Sequence, residues 1–209
     1  VFGESLRGPF YKKVLSKYFP AICNNNRNGG DMPEVSRELA SKIMSVKLVV
    51  FDVDGVLTDG RIIFSNSGEE TKFFDVKDGH GIKLLMRSGI DVAIITARES
   101  EVVRRRAKDL GITHVFQGMK DKRMALEELV KTSGITPGEM AYMGDDIIDL
   151  PVLKRVAFSA AVADAVVEVR DRVDFVSQRP GGRGAARELA ELILKVQGKW
   201  DEVMKAYLS

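Results

Sequence analysis

Short apolar runs alternate with helical patterns from Val46 onward. The runs have the length of buried strands, and apolar residues between them recur at helical spacing. This alternation predicts right-handed βαβ units in a doubly wound, Rossmann-like α/β fold with a parallel sheet. The predicted strands span residues 47–53, 91–96, 114–117, 140–143, 157–162 and 174–176. The predicted helices span residues 81–88, 99–110, 122–133, 147–154, 165–172 and 185–196.

One insert interrupts this rhythm directly after the first strand. Residues 61–64 and 71–74 are predicted to pair as a β-hairpin around the turn sequence Asn66-Ser67-Gly68. Arg61 and Lys72 are both compatible with solvated charges on this hairpin, and we favour that interpretation for Lys72. The hairpin is too small to close a pocket alone.

The chain divides into two parts of different character. Residues 1–45 contain a polar Asn/Gly-rich stretch at 23–31, and helices are predicted only at 10–19 and 34–44. We expect residues 1–45 to be an N-terminal extension of unknown role, partly disordered or helical. Residues 46–209 are expected to form the α/β domain, with a C-terminal helix and tail.

Composition narrows the possible partners and compartments. Lys and Arg total 32 and Asp and Glu total 30, a near balance that argues against nucleic acid as the main partner. Cys23 is the single cysteine, so no intrachain disulfide is possible, which fits a reducing compartment. No apolar run approaches the roughly 18 residues of a membrane span, and no signal-peptide core is evident. We therefore expect a cytoplasmic protein without a membrane partner.

Two carboxylates, Asp52 and Asp54, stand at the end of the first predicted strand. Anions at the edge of a buried sheet repel each other and resist desolvation, so a divalent cation such as Mg²⁺ is the simplest compensation. With a metal beside it, Asp52 can attack a phosphate ester and form an aspartyl-phosphate. Asp54 can protonate the leaving alcohol and then deprotonate a water. The alternative is that both are ordinary turn carboxylates.

Other polar residues lie at the same edge, because ligands in open α/β sheets bind beyond the carboxyl ends of the strands. We expect Asp145 to share Mg²⁺ with Asp52, while a backbone carbonyl near Asp54 supplies a third ligand. Asp146 and Asp149 are expected to orient metal-bound waters and a nearby lysine. Alternatively, the acidic pair after Gly144 merely caps the next helix.

A hydroxyl and a cation complete the predicted phosphate site. Thr96 ends the second strand of the sheet and can donate a hydrogen bond to a phosphate oxygen. The loop after residues 114–117 carries Lys120 and Lys122, and the spacing to the following helix favours Lys122 as the positive charge. Taken singly, Thr96 is also a common strand residue, and Lys122 is also a plausible solvated lysine.

These motifs resemble the haloacid dehalogenase-like phosphatases, in the same chain order. They are Asp52-Val53-Asp54-Gly55-Val56-Leu57-Thr58-Asp59-Gly60, Thr96, Lys122 and Gly144-Asp145-Asp146-Ile147-Ile148-Asp149. Within that superfamily the chain is similar to the 3-deoxy-D-manno-octulosonate 8-phosphate phosphatase family over about residues 46–200. The further segments are Asp78-Gly79-His80-Gly81, Ala161-Val162-Ala163-Asp164-Ala165 and Gly181-Gly182-Arg183-Gly184-Ala185-Ala186-Arg187-Glu188.

The resemblance implies a Mg²⁺-dependent enzyme that hydrolyses the 8-phosphate during synthesis of a lipopolysaccharide core sugar. It also implies a capless homotetramer in which the hairpin of one subunit helps to cover a neighbour's site. Ala97 departs from the family pattern, which has Gly after the threonine, and is small enough to be tolerated.

The sugar-contacting residues are less sharply defined. Gly79, Ala97, His80, Arg183 and Arg187 are candidates for substrate binding, together with Asp54, Thr96 and Lys122. Glycines beside His80 would let the backbone approach a ligand, although a structural histidine is equally compatible with the sequence. Arg183 precedes a helix whose first amides suit an anion, although its glycine-rich segment also resembles a linker, and Arg187 also suits a helix surface.

Two alternative functions remain open at this point. The first is the same chemistry on a sialic-type nine-carbon acid 9-phosphate. The second is a non-catalytic tetramerisation domain of a sugar-acid nucleotidyltransferase. The second alternative is less favoured, because unpaired anions reduce stability and a site without catalytic function has no need of them. The chain has the full set of charged residues Asp52, Asp54, Lys122, Asp145 and Asp146.

Overall fold

The computed structural model describes residues 34–208, so the predicted helix at 10–19 and Cys23 lie outside the described residues. Its main sheet has six strands in the order β5-β4-β1-β6-β7-β8, all paired in parallel. The predicted doubly wound α/β fold is confirmed. The strands are β1 Leu48–Phe51, β4 Asp91–Ile95, β5 His114–Phe116, β6 Met140–Gly144, β7 Phe158–Ala161 and β8 Phe175–Val176.

The centre of the sheet is apolar on both faces. All four residues of β1 and all five of β6 are buried, as strands require when both faces of the sheet are covered. Val50 pairs with Ala93 of β4 on one side and with Tyr142 of β6 on the other. The carboxyl ends of β1, β4 and β6 therefore meet at one edge.

Helices follow most of the strands. They are α1 Glu34–Met44, α2 Val76–Arg87, α3 Glu101–Leu110, α4 Lys122–Ser133, α5 Leu150–Leu153, α6 Val167–Arg170, α7 Ala185–Val196 and α8 Trp200–Leu208. Local sequence explains their ends: Ser100 and Asp121 cap α3 and α4, and Gly111 and Gly134 end them in the left-handed conformation. The predicted helix at 147–154 is instead a 3₁₀ turn, Ile147–Asp149, followed by α5.

Two predictions about local structure were wrong in their boundaries. The hairpin strands are β2 Ile63–Phe64 and β3 Glu70–Thr71, so the second strand ends before the predicted residues 72–74. Helix α2 begins at Val76 rather than at Gly81, with Asp75 as its N-cap. Gly81 therefore lies inside α2. Its lack of a side chain permits close packing, because a Cβ there would lie only 3.0 Å from the Cα atom of Arg187 on α7.

Helix α1 packs against the α/β body, although it precedes the predicted boundary at residue 46. Leu39, Ala40 and Ile43 of α1 are buried in the same core as the sheet. The side-chain amide of Gln197 donates to the carbonyls of Ile43 and Val46 at 3.1 and 2.8 Å. Within the described residues, the packed body therefore starts at α1.

No helix within residues 34–208 combines the length and hydropathy that crossing a membrane demands.

Candidate active site

The loop after β1 places Asp52 at the edge of the sheet and turns sharply behind it. The amide of Asp52 donates to the carbonyl of Met143 on β6 at 3.1 Å, which extends the sheet pairing by one residue. The carbonyl of Val53 then accepts the amides of Leu57 and Thr58, both at 3.0 Å. These bonds fix the backbone of the loop that carries Asp52 and Asp54.

Lys122 lies between two carboxylates at the start of α4. Its side chain is fully buried, with Nζ 3.0 Å from Oδ1 of Asp52 and 2.6 Å from Oδ1 of Asp149. The neighbouring candidate Lys120 is exposed. The structure therefore brings Lys122, and not Lys120, against the predicted nucleophile.

Asp149 is held in place by four donors. Its Oδ1 accepts from Lys122 and from the hydroxyl of Tyr142, both at 2.6 Å. Its Oδ2 accepts the backbone amides of Asp145 and Asp146 at 2.9 and 3.2 Å. These bonds occupy the lone pairs of the carboxylate, so Asp149 orients Lys122 and the loop after β6 and is not free to bind a metal.

The carboxylates of Asp52 and Asp145 lie close together at the edge of the sheet. One oxygen from each of Asp52, Asp145 and Asp149 lies within 4.8 Å of the others. Oδ1 of Asp52 is buried and has no well-aligned hydrogen-bond partner among the described residues, despite the nearby Lys122. A Cβ at Gly55 would lie 2.1 Å from Oδ2 of Asp145, so glycine leaves room for that carboxylate. Two carboxylates with open oxygens fit a hard divalent cation such as Mg²⁺.

The electrostatics of the cluster agree with that fit. Burial, reinforced by the charge of Asp149, raises the pKa of Asp52 to about 7 despite the opposing charge of Lys122. Burial and the charges of Asp149 and Asp52 raise the pKa of Asp145 to about 8. Burial alone would lower the pKa of Lys122, but the charges of Asp52 and Asp149 outweigh it and the pKa is raised. The cluster therefore has an excess of negative charge for a cation to neutralise.

Asp54 points to a second group of charges. Its Oδ1 is paired with Nζ of Lys72 on the segment after β3, and its Oδ2 lies 3.7 Å from Nε of Arg98. The prediction that Lys72 is a solvated charge was wrong, because only 1% of its side chain is exposed. The hairpin folds back over the loop after β1 and buries this lysine.

Thr96 and Ala97 occupy the end of β4, next to β1. The amide of Thr96 donates to the carbonyl of Phe116 at 2.9 Å, and Thr96 is buried. Its Oγ1 accepts only a long bond from the amide of Arg98, at 3.5 Å, which leaves the hydroxyl proton available. Ala97 follows directly and is half-buried.

A glycine-rich loop packs against the loop after β1. The amide of Gly182 donates to the carbonyl of Val56 at 2.8 Å, and a Cβ at Gly181 would lie 1.8 Å from the carbonyl oxygen of Gly55. The amide of Gly181 donates to Oδ1 of Asp164 at 2.9 Å. The structure thus places Arg183, which is exposed, beside the edge that carries Asp52 and Asp54.

Comparison with known proteins gives the family. The sequence model described as haloacid dehalogenase-like hydrolase matches residues 112–189. The 3-deoxy-D-manno-octulosonate 8-phosphate phosphatase of Escherichia coli K12 is 47% identical over 168 residues, which are 80% of this chain and 89% of that protein. The chain belongs to the 3-deoxy-D-manno-octulosonate 8-phosphate phosphatase family. The resemblance predicted from the sequence is confirmed.

Solved structures of this phosphatase family share the fold. The phosphatase of Yersinia pestis is 46% identical, with a TM-score of 0.77 over 78% of this chain and 89% of that one. The phosphatase of Moraxella catarrhalis is 44% identical, with a TM-score of 0.80 over 82% and 98%. The latter was solved with magnesium, phosphate and the sugar acid KDO.

Several predicted site residues of this phosphatase-family chain contact other parts of the protein. Asp146 is exposed, and its Oδ1 accepts the amide of Ile147 at 2.6 Å, which matches the helix-cap alternative. The ring of His80 lies in α2 at 5.8 Å from that of Tyr207, in edge-to-face contact. Gly79 is buried, and a Cβ there would lie 2.2 Å from Nη2 of Arg106.

One buried carboxylate, Asp78, was not singled out from the sequence. It accepts the amides of Gly184 and Arg187 at 3.0 and 2.8 Å, and it thereby fixes the start of α7 next to the glycine-rich loop. The side chain of Arg187 is directed to Glu191, at 2.8 Å, and to the ring of Trp200. A carboxylate that caps a helix distant in sequence leaves no local pattern, so only the packing of α2 on α7 identifies it.

Proposed function

We propose that this protein hydrolyses 3-deoxy-D-manno-octulosonate 8-phosphate to the free sugar acid and phosphate, a step in synthesis of the lipopolysaccharide core. The observation that carries the proposal is the buried Asp52 between Lys122 and the open carboxylate of Asp145. The chain is 47% identical to phosphatases named for this substrate. The nine-carbon substrate and the non-catalytic role are therefore not favoured.

In the first half of the reaction, a carboxylate oxygen of Asp52 attacks phosphorus, and the bond from phosphorus to the sugar O8 breaks. Asp54 gives its proton to the departing oxygen, so the sugar acid leaves as an alcohol. The product on the protein is the phosphoryl ester of the Asp52 carboxylate. In the second half, Asp54 accepts a proton from the water that attacks phosphorus, which releases phosphate and regenerates Asp52.

The surrounding residues of this site hold the phosphoryl group. Thr96 donates its free hydroxyl proton to a phosphoryl oxygen, and Lys122 compensates negative charge beside Asp52. Asp52, Asp145 and the backbone carbonyl of Asp54 hold Mg²⁺, and Asp149 keeps Lys122 in position. When bound, Mg²⁺ neutralises the carboxylates and the charge that develops on the transferred group.

For the sugar, we propose contact with Arg183. It lines an open groove of about 350 Å³ beside the loop after β1, together with Arg61, Phe73 and Gly182. Asp59 and Asp75 also line this groove, and Nε of Arg61 lies 3.7 Å from Oδ2 of Asp59, so Arg183 is the cation that we assign to the carboxylate of the sugar acid. The packing partners of Gly79, His80 and Arg187 account for those residues without a substrate.

We also propose a homotetramer in the cytoplasm. Ile62, Phe64 and Phe73 of the hairpin region are 55%, 57% and 64% exposed, which favours burial of this region against a second copy of the chain. Sedimentation is expected to give a mass near four chains, and an active monomer would contradict the shared pocket. The single cysteine and the phosphorylated substrate support the compartment.

Phosphate release from two esters tests the function. With Mg²⁺, kcat/KM is expected to be higher for the eight-carbon 8-phosphate than for a sialic-type 9-phosphate. EDTA is expected to stop turnover, and added Mg²⁺ is expected to restore it. A preference for the nine-carbon ester, or turnover independent of a divalent metal, would overturn the proposal.

A further inference from the structure

The hairpin carries a buried lysine that no step above uses. The side chain of Lys72 is 1% exposed, and its Nζ pairs with Oδ1 of Asp54 and lies 3.4 Å from Oε1 of Glu70. A buried ammonium is costly unless anions surround it, and these two carboxylates provide them. Lys72 therefore connects the hairpin to Asp54 within one chain.

Residues from the β4–α3 loop hold the other side of this connection. Nη2 of Arg98 lies 3.8 Å from Oε1 of Glu70, and the hydroxyl of Ser100 donates to Oε2 of Glu70 at 2.5 Å. Burial would raise the pKa of Glu70, but the bond from Ser100 and the charges of Lys72 and Arg98 lower it overall. Glu70 is thus a fixed anion. Its Oε1 has no well-aligned hydrogen-bond partner among the described residues and faces Lys72 as an ion pair, which anchors the lysine.

Each oxygen of Asp54 faces a cation: Oδ1 pairs with Lys72, whereas Oδ2 lies beyond hydrogen-bond distance of Nε of Arg98. Arg98 is 40% exposed and lies 3.7 Å away, whereas Lys72 is buried and in direct contact. Lys72 therefore determines the orientation of the Asp54 carboxylate more strongly than Arg98 does. A proton donor must lie within hydrogen-bond reach of the leaving oxygen, so its orientation affects the rate.

We propose that Lys72, anchored by Glu70, is a positioning residue that orients Asp54 for proton transfer to the leaving oxygen. The hairpin of each subunit then sets the general acid of its own site. The inference rests on the proposed phosphatase function and assigns it a further residue.

A series of aryl phosphates with leaving groups of increasing basicity tests the proposal. General-acid help matters most for a basic leaving group, and kcat/KM reports only the steps through its departure. For Lys72→Met and Glu70→Gln, the loss in kcat/KM is expected to be below about threefold with a nitrophenolate leaving group. It is expected to rise to roughly 100-fold with the sugar ester, as for other general acids. Asp54→Asn is expected to give the same pattern. Adding Lys72→Met to Asp54→Asn in a double variant is expected to cause little further loss.

Matched controls separate this role from a structural one. Glu69→Gln next to Glu70, and Lys108→Met at an exposed position of α3, are expected to leave the whole series unchanged. A uniform loss across the series, a loss confined to the sugar ester with no trend among aryl phosphates, or no loss would each overturn the proposal. Glu70→Gln, an isosteric change, keeps the test available if Lys72→Met does not fold. Wild-type inactivity on the sugar ester would contradict the proposed function instead, and the aryl series would still test Lys72.

Discussion

Two lysines flank the loop after β1, and each lies between two carboxylates. Lys122 joins Asp52 to Asp149, and Lys72 joins Asp54 to Glu70. The first group has side chains that are at most 5% exposed, whereas the carboxylates of the second are 20% and 16% exposed. The chain therefore supports the proposed nucleophile and the proposed acid with the same arrangement at two different depths.

The difference lies in what anchors each arrangement. Asp149 receives two backbone amides and the Tyr142 hydroxyl, so the first group is fixed by the sheet. Glu70 belongs to a two-residue strand whose anchors are side chains of the β4–α3 loop. A site on rigid elements holds its geometry better than one on a surface loop. The nucleophile is thus preorganised by the core, and the acid depends on the position of the hairpin.

The largest expected effect comes from removing the nucleophile. Asp52→Asn replaces the attacking oxygen at nearly constant volume, so turnover is expected to fall by roughly 10⁴-fold or more. The fold is expected to remain, because the change removes a buried anion rather than a packing group. Phosphate release and thermal unfolding measure the two effects, and appreciable activity in this variant would refute the assignment.

The next test compares the two lysines through stability. Lys122→Met leaves Asp52 and Asp149 without their cation, and loss of one partner of a buried ion pair costs about 3–5 kcal/mol. Lys72→Met is expected to cost less, about 1–2 kcal/mol, because its carboxylates reach solvent and keep Arg98 nearby. Urea unfolding of both variants measures the difference. Equal losses in the free energy of unfolding would contradict the proposed difference in burial between the two groups.

The sequence predicts the deeper of the two arrangements and misses the shallower one. Asp52, Thr96 and Asp145 are identifiable because each directly follows a strand, and parallel strands bring their carboxyl ends to one edge. Lys122 is identifiable from its spacing between β5 and the start of α4. Lys72 is not, because its burial depends on how a hairpin with two-residue strands folds back on the chain. Burial that depends on residues distant in the chain produces no periodic pattern of apolar residues in the sequence.

Helix α2 shows the same limit. Glycines on both sides of His80 suggest a loop, because glycine weakens a helix. In the structure, α2 crosses close to α7, and Gly81 is the residue that lets the Cα atom of Arg187 approach. The packing of two helices therefore overrides the local preference, and only the tertiary structure shows it.

Magnesium binding is expected to depend on pH through the first group. Burial raises the pKa of Asp52 to about 7 and of Asp145 to about 8 in the metal-free protein. The folded state then holds protons that the unfolded chain has released, so metal-free stability falls as pH rises from about 4 to about 8. Mg²⁺ displaces those protons when it binds. Below those pKa values, its apparent affinity therefore falls roughly tenfold for each unit by which the pH is lowered and for each proton displaced.

Thermal unfolding with and without Mg²⁺ measures this linkage. The increase in Tm on adding Mg²⁺ is expected to be larger at about pH 9 than at about pH 6. An increase of the same size at both values would contradict the proton-coupled site.

The smallest expected effect concerns Asp146. Its carboxylate is exposed and caps the turn before α5, so Asp146→Ala is expected to cost about 1 kcal/mol of stability. Turnover is expected to change by less than about threefold, since its removal leaves every bond to Asp149 from Lys122 and Tyr142 in place. Asp149→Asn is the matched comparison. A large loss of turnover in Asp146→Ala would instead place its carboxylate at the metal.

Trapping the phosphoryl group tests the central claim most directly. Acid quenching during turnover, followed by borohydride, reduces an acyl phosphate to an alcohol that mass spectrometry locates in the peptide. The reduced residue is expected at Asp52 of the wild-type protein, only when Mg²⁺ and the phosphate ester are present, and not in Asp52→Asn. Reduction at another carboxylate, or steady product formation with none trapped at Asp52, would contradict the account.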